Sequence, residues 1–222
     1  MSAAGFLAVI IGLLDECEIP HMLCGSVASG AWGFACATNG VDIVIDPTPT
    51  TGERLIARAP DLGLYVPADS ARRAIETRDQ FNLVSLASPW KADLIVLDER
   101  PYSLSDFKRC LVLRVLGVEL HVSTAENTIV SKLRWAEECG GSERQMTDVA
   151  RVIEVQGPTL DWGYVDHWCE ELGVTHLLDQ VRADLAADAD LAADADADAD
   201  LDADADLAAE ADADADLAAD LS

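Results

Sequence analysis

Two short apolar segments each carry an acidic residue in their interior, and this pattern restricts the possible folds more than any other feature of the chain. Val41 to Ile45 contains Asp42, and Lys91 to Leu97 contains Asp93. The first segment is rich in β-branched residues and both are short apolar runs, which predicts strands. A buried carboxylate without a partner is costly. Each acid alone is compatible with a strand end or a salt bridge, but the two together favour a shared site.

A Gly-Ser pair precedes the first acidic strand. The segment His21 to Cys24 predicts a short buried strand that leads into Gly25-Ser26. From Val27 to Trp32, small and apolar residues recur at helical spacing, which predicts a helix. This order places backbone N–H groups and a hydroxyl at a helix N-terminus, where phosphate binds well. A tight turn with an N-cap explains the pair equally, so the acids downstream are what favour a phosphate site.

The remaining periodicity predicts an α/β domain followed by a helical segment. Strands are expected at 81–86, 91–97, 109–115 and 118–122, and helices at 6–17, 51–58 and 69–77. After residue 122 the pattern becomes helical, with a capping box at Ser123-x-x-Glu126 and further helices at 142–155 and 161–172. The expected division is an α/β core over residues 1–122, a helical segment over 123–182 and a tail over 183–222.

The tail carries most of the charge. The 222-residue chain has a formal net charge of -26, and residues 183–222 contain 15 acids and no Lys or Arg. The remaining 26 acids stand against 15 Lys and Arg, so residues 1–182 have a net charge of -11. The Ala/Asp-rich repeat is low in complexity and predicts a solvated, disordered tail, with docking or cation binding as the alternative. This negative charge argues against non-specific binding of nucleic acid, although it leaves room for a small local basic pocket.

Cysteine usage and the N-terminal apolar run bear on the compartment. The six cysteines form no C-x-x-C pair, so we expect reduced thiols in a cytoplasmic protein rather than a disulfide framework. Gly5 to Leu14 is apolar, but it lacks a basic flank and is followed at once by Asp15. This segment therefore predicts a core helix rather than a signal peptide or a membrane span, and no membrane partner is expected.

Taken in order, these motifs resemble a known superfamily. Gly25-Ser26, the stretch from Ala37 to Asp46, and Ala92-Asp93-Leu94 are similar to the motifs of DNA polymerase beta-type nucleotidyltransferases. More narrowly, they resemble stand-alone bacterial nucleotidyltransferase-fold proteins related to abortive-infection toxins. The resemblance covers about residues 5–182. It implies a mixed sheet flanked by helices, with a helical C-terminal segment.

The resemblance also implies roles for individual residues. Gly25 and Ser26 would hold the triphosphate of a nucleoside triphosphate, and Asp42 and Asp93 would hold Mg²⁺ and act as the catalytic acids. Asp93 would in addition assist deprotonation of the acceptor hydroxyl. Binding of nucleotide or acceptor is implied for two helical residues of the second segment, Lys132 and Asp148.

The chain departs from the family pattern at two positions. The pattern Thr-x-Asp-h-Asp, where h is apolar, places its first acid at position 40, which is Gly40 here, and Thr147 stands where relatives often carry Arg. Loss of a bridging carboxylate should weaken metal binding severely. Asp46 lies two pleats beyond Asp42 and precedes a proline, so we do not expect it to substitute. Lys91 is expected on the opposite strand face from Asp93, in solvent.

Two functional hypotheses follow. The first is a magnesium-dependent nucleotidyltransferase that moves a nucleoside monophosphate to a hydroxyl on RNA, protein or a small molecule. The second is a catalytically degenerate relative that binds nucleotide or a partner protein, as a regulator or a toxin–antitoxin component. Gly40 favours the second hypothesis, and the intact remainder of the motifs favours the first. A purely structural α/β domain with an acidic tail is the weakest alternative.

Overall fold

The computed structural model describes residues 1–33 and 39–191 of the chain. Its described strands are β1 (His21–Cys24), β2 (Gly40–Ile45), β3 (Leu64–Tyr65), β4 (Gln80–Ser85), β5 (Lys91–Val96), β6 (Leu111–Val115) and β7 (Val118–Val122). They form one sheet, with the spatial order β3-β4-β5-β2-β1-β7-β6. The predicted α/β class is therefore confirmed.

The sheet is mixed, as the resemblance implied. The central strand β2 runs parallel to β5 and antiparallel to β1. On one side, β4 pairs antiparallel with β5 and β3 with β4. On the other side, β7 runs parallel to β1 and forms an antiparallel hairpin with β6. The two strands that carry the predicted acids, β2 and β5, are thus immediate neighbours.

Helices connect and follow the strands of this sheet along the chain. They are α1 (Ala3–Glu16), α2 (Gly25–Trp32), α3 (Pro49–Arg58), α4 (Ala68–Thr77), α5 (Pro101–Arg109), α6 (Ala125–Glu138), α7 (Glu143–Gln156) and α8 (Trp162–Glu171). Short 3-10 helices occupy Ala59–Leu62 and Gly157–Thr159. No helix in the described ranges is both long enough and apolar enough to cross a membrane.

Residues Met1–Leu178 form one compact unit, and Asp179–Ser222 form a second. The described part of the second unit, residues 179–191, is helical. It includes residues 183–191 at the start of the predicted tail, where alanine supplies a high helix propensity. Residues 192–222 lie outside the described part of the chain. The division expected at residues 122 and 182 stays a prediction.

One face of the sheet belongs to the hydrophobic core. Side chains alternate between the two faces of a strand, and the odd-numbered residues of β2 are buried in one cluster with the even-numbered residues of β5. The helix α1 covers this face with the apolar residues Phe6, Leu7, Ile10, Ile11, Leu13 and Leu14. Asp42 and Asp93 therefore point to the opposite face, where a polar site is compatible with the core.

Three local predictions differ from the structure. The helix α5 was not predicted, because its buried side chains include Asp106 and provide little apolar periodicity. Arg109 is accordingly the last residue of α5, not the first of a strand. The N-cap of α6 is Thr124, whose side chain accepts from the N–H of Asn127, while the hydroxyl of Ser123 donates to Asp106 instead. The two-residue strand β3 is too short for a periodic signal.

Candidate functional site

A row of polar residues crosses four neighbouring strands on the face opposite α1. Asp42 of β2 is the direct partner of Asp93 in β5 and of Cys24 in β1. Asn82 of β4 continues the row beside Asp93. Paired residues of adjacent strands point to the same face and lie about 4.8 Å apart. The structure therefore brings the two predicted acids together on one face.

The start of α2 is shaped around Asp42. Gly25 has φ of +64°, in the left-handed region that favours glycine. A Cβ atom at this position would lie 2.0 Å from Oδ2 of Asp42, which is far closer than atoms can approach. The residue before the helix, Cys24, makes no capping hydrogen bond with its side chain. The backbone N–H of Ser26 donates to the Asp42 carboxylate instead, so Asp42 caps α2 from the neighbouring strand.

Burial and like charge both act on Asp42. Its pKa is raised, first by removal of the carboxylate from water and second by the negative charge of Asp93. The hydrogen bond from Ser26 and the positive charges of Lys91 and Lys132 lower the pKa in opposition. Two carboxylates that repel each other at close range form a site that is stabilised by a cation between them.

Lys91 belongs to this face, so its predicted position on the opposite face was wrong. Residues i and i+2 of a strand share a face. The Nζ atom of Lys91 donates to both Asp93 oxygens, at 3.1 Å to Oδ1 and 2.8 Å to Oδ2. The Lys91 side chain is 49% exposed, whereas that of Asp93 is 19% exposed. The ammonium therefore lies at the rim of the site, above a largely buried carboxylate.

Position 40 lies directly beside Lys91. Gly40 of β2 is the strand partner of Lys91, so the place of the family's first acid carries no carboxylate. Within residues 1–33 and 39–191, no group of three or more His, Cys, Asp or Glu residues is arranged to hold a metal ion. The donor set at this face consists of the carboxylates of Asp42 and Asp93, which fits one divalent cation better than two.

Two other parts of the predicted motif do not add a ligand. Asp46 lies beyond the end of β2, and its Oδ1 is 3.8 Å from the Nη1 of Arg78. It therefore pairs away from Asp42, in keeping with the expectation that it does not substitute for the missing acid. Ala37 and Thr38, which precede the acids in the motif, lie outside the described residues.

Lys132 and Asp148 form a buried ion pair between α6 and α7. The Lys132 Nζ donates to Oδ2 of Asp148 at 2.7 Å and to Oε1 of Gln145 at 3.0 Å. The side chains are only 6% and 5% exposed. The charge of Lys132 also lowers the pKa values of Asp42 and of the Cys24 thiol. Lys132 is therefore near the carboxylate pair, and Asp148 holds its ammonium in place.

Sequence reasoning missed three residues around the site. The contact of Lys91 follows from its spacing to Asp93, so the i and i+2 rule was sufficient to find it. Asn82 is a polar residue in an otherwise alternating strand, which is a weak signal. Asp106 is buried in α5, accepts from Ser123 at 2.8 Å, and its charge reaches Cys24. The last contact depends on a helix that the sequence pattern did not predict.

The comparisons with known proteins concern the fold. No protein-family model matches the chain, and a search of curated proteins gives no match. Among solved structures, ANT(2")-Ia in complex with adenylyl-2"-tobramycin matches with a TM-score of 0.55 and 13% identity, over 79% of this chain and 99% of that one. An antigenic nucleotidyltransferase-like protein from Paracoccidioides brasiliensis matches with a TM-score of 0.54 and 16% identity, over 83% and 90%. This chain therefore has a nucleotidyltransferase fold.

Proposed function

We propose that this protein transfers a nucleoside monophosphate from a nucleoside triphosphate to a hydroxyl group of an acceptor. The acceptor oxygen attacks the α-phosphorus and the bond to the bridging oxygen breaks. Pyrophosphate leaves, and the hydroxyl proton passes to a carboxylate. In such reactions the protein contributes mainly positioning and charge stabilisation. The chemistry requires a phosphate-binding helix start beside a cluster of carboxylates.

The direct register of Asp42 with Asp93, next to the start of α2, is the observation that supports this proposal most strongly. Sequence spacing predicted each part separately, and the structure has all three elements adjacent. Gly25 brings the backbone of α2 against the Asp42 carboxylate without a side chain between them. A triphosphate at the N-terminus of α2 would then lie beside the acids, as nucleotidyl transfer requires.

The proposal gives each residue of the site a role, and these residues are Gly25, Ser26, Asp42 and Asp93. The backbone N–H of Gly25 and the hydroxyl of Ser26 bind the triphosphate, because the N–H of Ser26 already donates to Asp42. Asp42 and Asp93 hold Mg²⁺, which supplies charge neutralisation of the phosphates when bound. The repulsion that raises the pKa of Asp42 is relieved by a cation at this position. Asp93 receives the proton of the acceptor hydroxyl.

Lys132 and Asp148 support the nucleotide in the same proposal. The Lys132 ammonium is almost entirely buried, so it attracts the phosphates through its charge rather than through an exposed contact. This effect is strong where water is excluded. Asp148 is then a positioning residue, because it holds Lys132 through the 2.7 Å hydrogen bond.

The acceptor is proposed to be a small molecule. Residues 1–182 carry a net charge of -11, which repels RNA because nucleic acid binding depends on neutralisation of phosphates. The structural neighbour ANT(2")-Ia is described with adenylyl-2"-tobramycin, a small molecule that carries an adenylyl group. This similarity supports a small hydroxyl-bearing acceptor over RNA or protein.

A second candidate function is a regulator that binds a nucleoside triphosphate, or a partner protein such as an antitoxin, without transfer. Two observations favour it. Gly40 removes one carboxylate from the family pattern, and Lys91 occupies both oxygens of Asp93. An ammonium bound in this way competes with a metal ion for the same carboxylate. The two candidates differ in whether pyrophosphate is released.

Pyrophosphate release separates these candidates. The protein is incubated with Mg²⁺, each of the four nucleoside triphosphates and a panel of aminoglycosides and other polyols. Transfer predicts pyrophosphate together with labelled acceptor, and Asp42→Asn is expected to lower the rate about a hundredfold or more, because the charge at the reacting phosphate is lost. Asp46→Asn is the matched control, since this acid stands at the end of the same strand and pairs with Arg78.

The variant Gly40→Asp completes the experiment. Product formed by the unaltered protein and abolished by Asp42→Asn supports transfer. Product that appears only with Gly40→Asp supports the binding-only function. Equal rates for Asp42→Asn and the unaltered protein contradict any role of this carboxylate pair.

A further inference from the structure

Lys91 contacts the carboxylate pair at the place where the family pattern has lost an acid. Its strand partner on β2 is Gly40 and its strand partner on β4 is Val84. Neither residue brings a charge to the space around the lysine stem. The ammonium reaches both oxygens of Asp93 from this position. Lys91 therefore lies directly beside position 40, where the family pattern has a carboxylate and this chain has none.

We propose that Lys91 is a built-in cation of the nucleotide site, which takes the place that a second divalent ion would hold and contacts the triphosphate. The proposal rests on nucleotide binding at this site, as set out under Proposed function. It predicts that one divalent ion, not two, accompanies each bound nucleoside triphosphate.

Formal charge supports this assignment. An aspartate and a divalent ion together add one positive charge to a site. Lysine and glycine in their place also add one positive charge. The total charge presented to the triphosphate is therefore unchanged, while the number of metal ions falls by one. A lysine ammonium is also a well-established partner for phosphate groups.

Exposure supports a contact with ligand. The Lys91 side chain is 49% exposed, so it is accessible to a ligand from solvent and is not locked into the core. Its long flexible stem allows the three N–H donors to move from the carboxylate to a phosphate oxygen. Lys132, in contrast, is almost entirely buried against Asp148. The two lysines are thus suited to different tasks, a mobile contact and a fixed charge.

A simple salt bridge is the competing explanation. Exposed pairs contribute little to stability and have no need of a ligand. The pair here is asymmetric, since Asp93 is only 19% exposed and shares its face with Asp42. A salt bridge without function predicts that loss of Lys91 leaves nucleotide binding unaffected, which is measurable.

The test counts manganese bound with a non-hydrolysable nucleoside triphosphate analogue. Calorimetry gives the affinity of the full-length protein for the analogue, and electron paramagnetic resonance gives the number of Mn²⁺ ions and their mutual coupling. The unaltered protein is expected to hold one Mn²⁺ per nucleotide, without the coupling of an ion pair. Lys91→Met is expected to weaken nucleotide binding about tenfold, because a phosphate contact is lost. Lys91→Arg is expected to retain most of the affinity, because it keeps the charge.

The double variant Gly40→Asp/Lys91→Met restores the family's carboxylate and removes the lysine. It is expected to bind two coupled Mn²⁺ ions per nucleotide. Lys108→Met is the matched control, because Lys108 is an exposed lysine on α5 rather than on the strands of Asp42 and Asp93, and it should leave the affinity and the ion count unchanged. Circular dichroism of each variant confirms that it is folded.

Two results would overturn the proposal. One is a coupled pair of Mn²⁺ ions in the unaltered protein, and the other is equal nucleotide affinity for Lys91→Met and the Lys108→Met control. Failure of the transfer reaction can be distinguished from failure of the proposal about Lys91. One bound Mn²⁺ with the expected loss of affinity in Lys91→Met, but no pyrophosphate from any triphosphate, supports the lysine's role and contradicts transfer alone.

Discussion

At the residue scale, the candidate site depends on one close approach. Gly25 adopts a left-handed conformation, and its Cα lies against the carboxylate of Asp42. This carboxylate accepts the N–H of Ser26 while it shares a face with Asp93. Asp42 is therefore both a structural cap of α2 and a member of the carboxylate pair. A change at Gly25 should disturb both roles together.

Gly25→Ala is expected to lower the free energy of unfolding by about 1–3 kcal/mol, because the left-handed backbone becomes strained and Cβ collides with Asp42. Urea denaturation measures the difference. Gly12→Ala is the control, since a Cβ at Gly12 meets no atom within 4 Å, and alanine should stabilise this helix interior by about 0.5–1 kcal/mol. Equal effects of the two substitutions would contradict the close approach of Gly25 and Asp42.

At the scale of the elements, a buried ion pair joins α6 to α7. Lys132 in α6 contacts Asp148 and Gln145 in α7, and the two charged side chains are almost fully buried. A buried charge is tolerated when it is paired and hydrogen-bonded. The pair therefore aligns the two helices of the predicted helical segment and holds positive charge near the strands of the site.

Lys132→Met is expected to destabilise the protein by about 3–5 kcal/mol, because it removes the ammonium that hydrogen-bonds the buried Asp148 carboxylate. The double substitution Lys132→Met/Asp148→Leu should recover part of this loss, because the buried carboxylate that lost the ammonium is removed as well. Arg72→Met is the control. Its ion pair with Glu53 is exposed and should contribute less than about 1 kcal/mol. Denaturation midpoints that fail to separate Lys132→Met from Arg72→Met would rule out this contribution.

At the scale of the whole molecule, α5 adds a titratable group to the interior. Asp106 is buried, and this burial raises its pKa from 3.8 to about 6. The hydrogen bond from Ser123 and the charge of Arg134 lower the pKa in opposition. The folded protein thus holds the proton of Asp106 more tightly than the unfolded chain does. The free energy of unfolding therefore falls as the pH rises from 3.8 to about 6, and the full cost of the buried charge is present above that pH.

The unfolding free energy of the native protein, relative to Asp106→Asn, is expected to rise by about 1 kcal/mol as the pH falls from 7 to 5. Protonation of the folded state over this window removes part of the cost of the buried charge. The cost is absent only below the pKa of the unfolded chain. Asparagine keeps an acceptor for the Ser123 hydroxyl, so the comparison isolates the charge. Parallel pH profiles of the two proteins would contradict a raised Asp106 pKa.

Much of the molecule was accessible to sequence reasoning, for identifiable reasons. The strands β2 and β5 were predicted because apolar residues surround a single acid in each. Gly25-Ser26 was located because a strand and a helix flank it. The helix α5 was not predicted, because its buried residues include both an aromatic and an acidic side chain. Lys91 was predicted on the wrong face of its strand, although the two-residue period of a strand puts residues 91 and 93 on the same face. The assigned roles in metal and nucleotide binding stay predictions.

The sequence by itself determined the element types, the α/β class and the presence of Asp42 and Asp93 on strands, because periodicity and composition are local properties. Tertiary structure decided which residues of distant segments lie next to each other. Only the pairing of β2 with β5 puts Asp42 next to Asp93 and Gly40 next to Lys91, since register between distant strands is set by the packing of the whole sheet. The missing acid is readable in the sequence, but the lysine beside it is visible only in the fold.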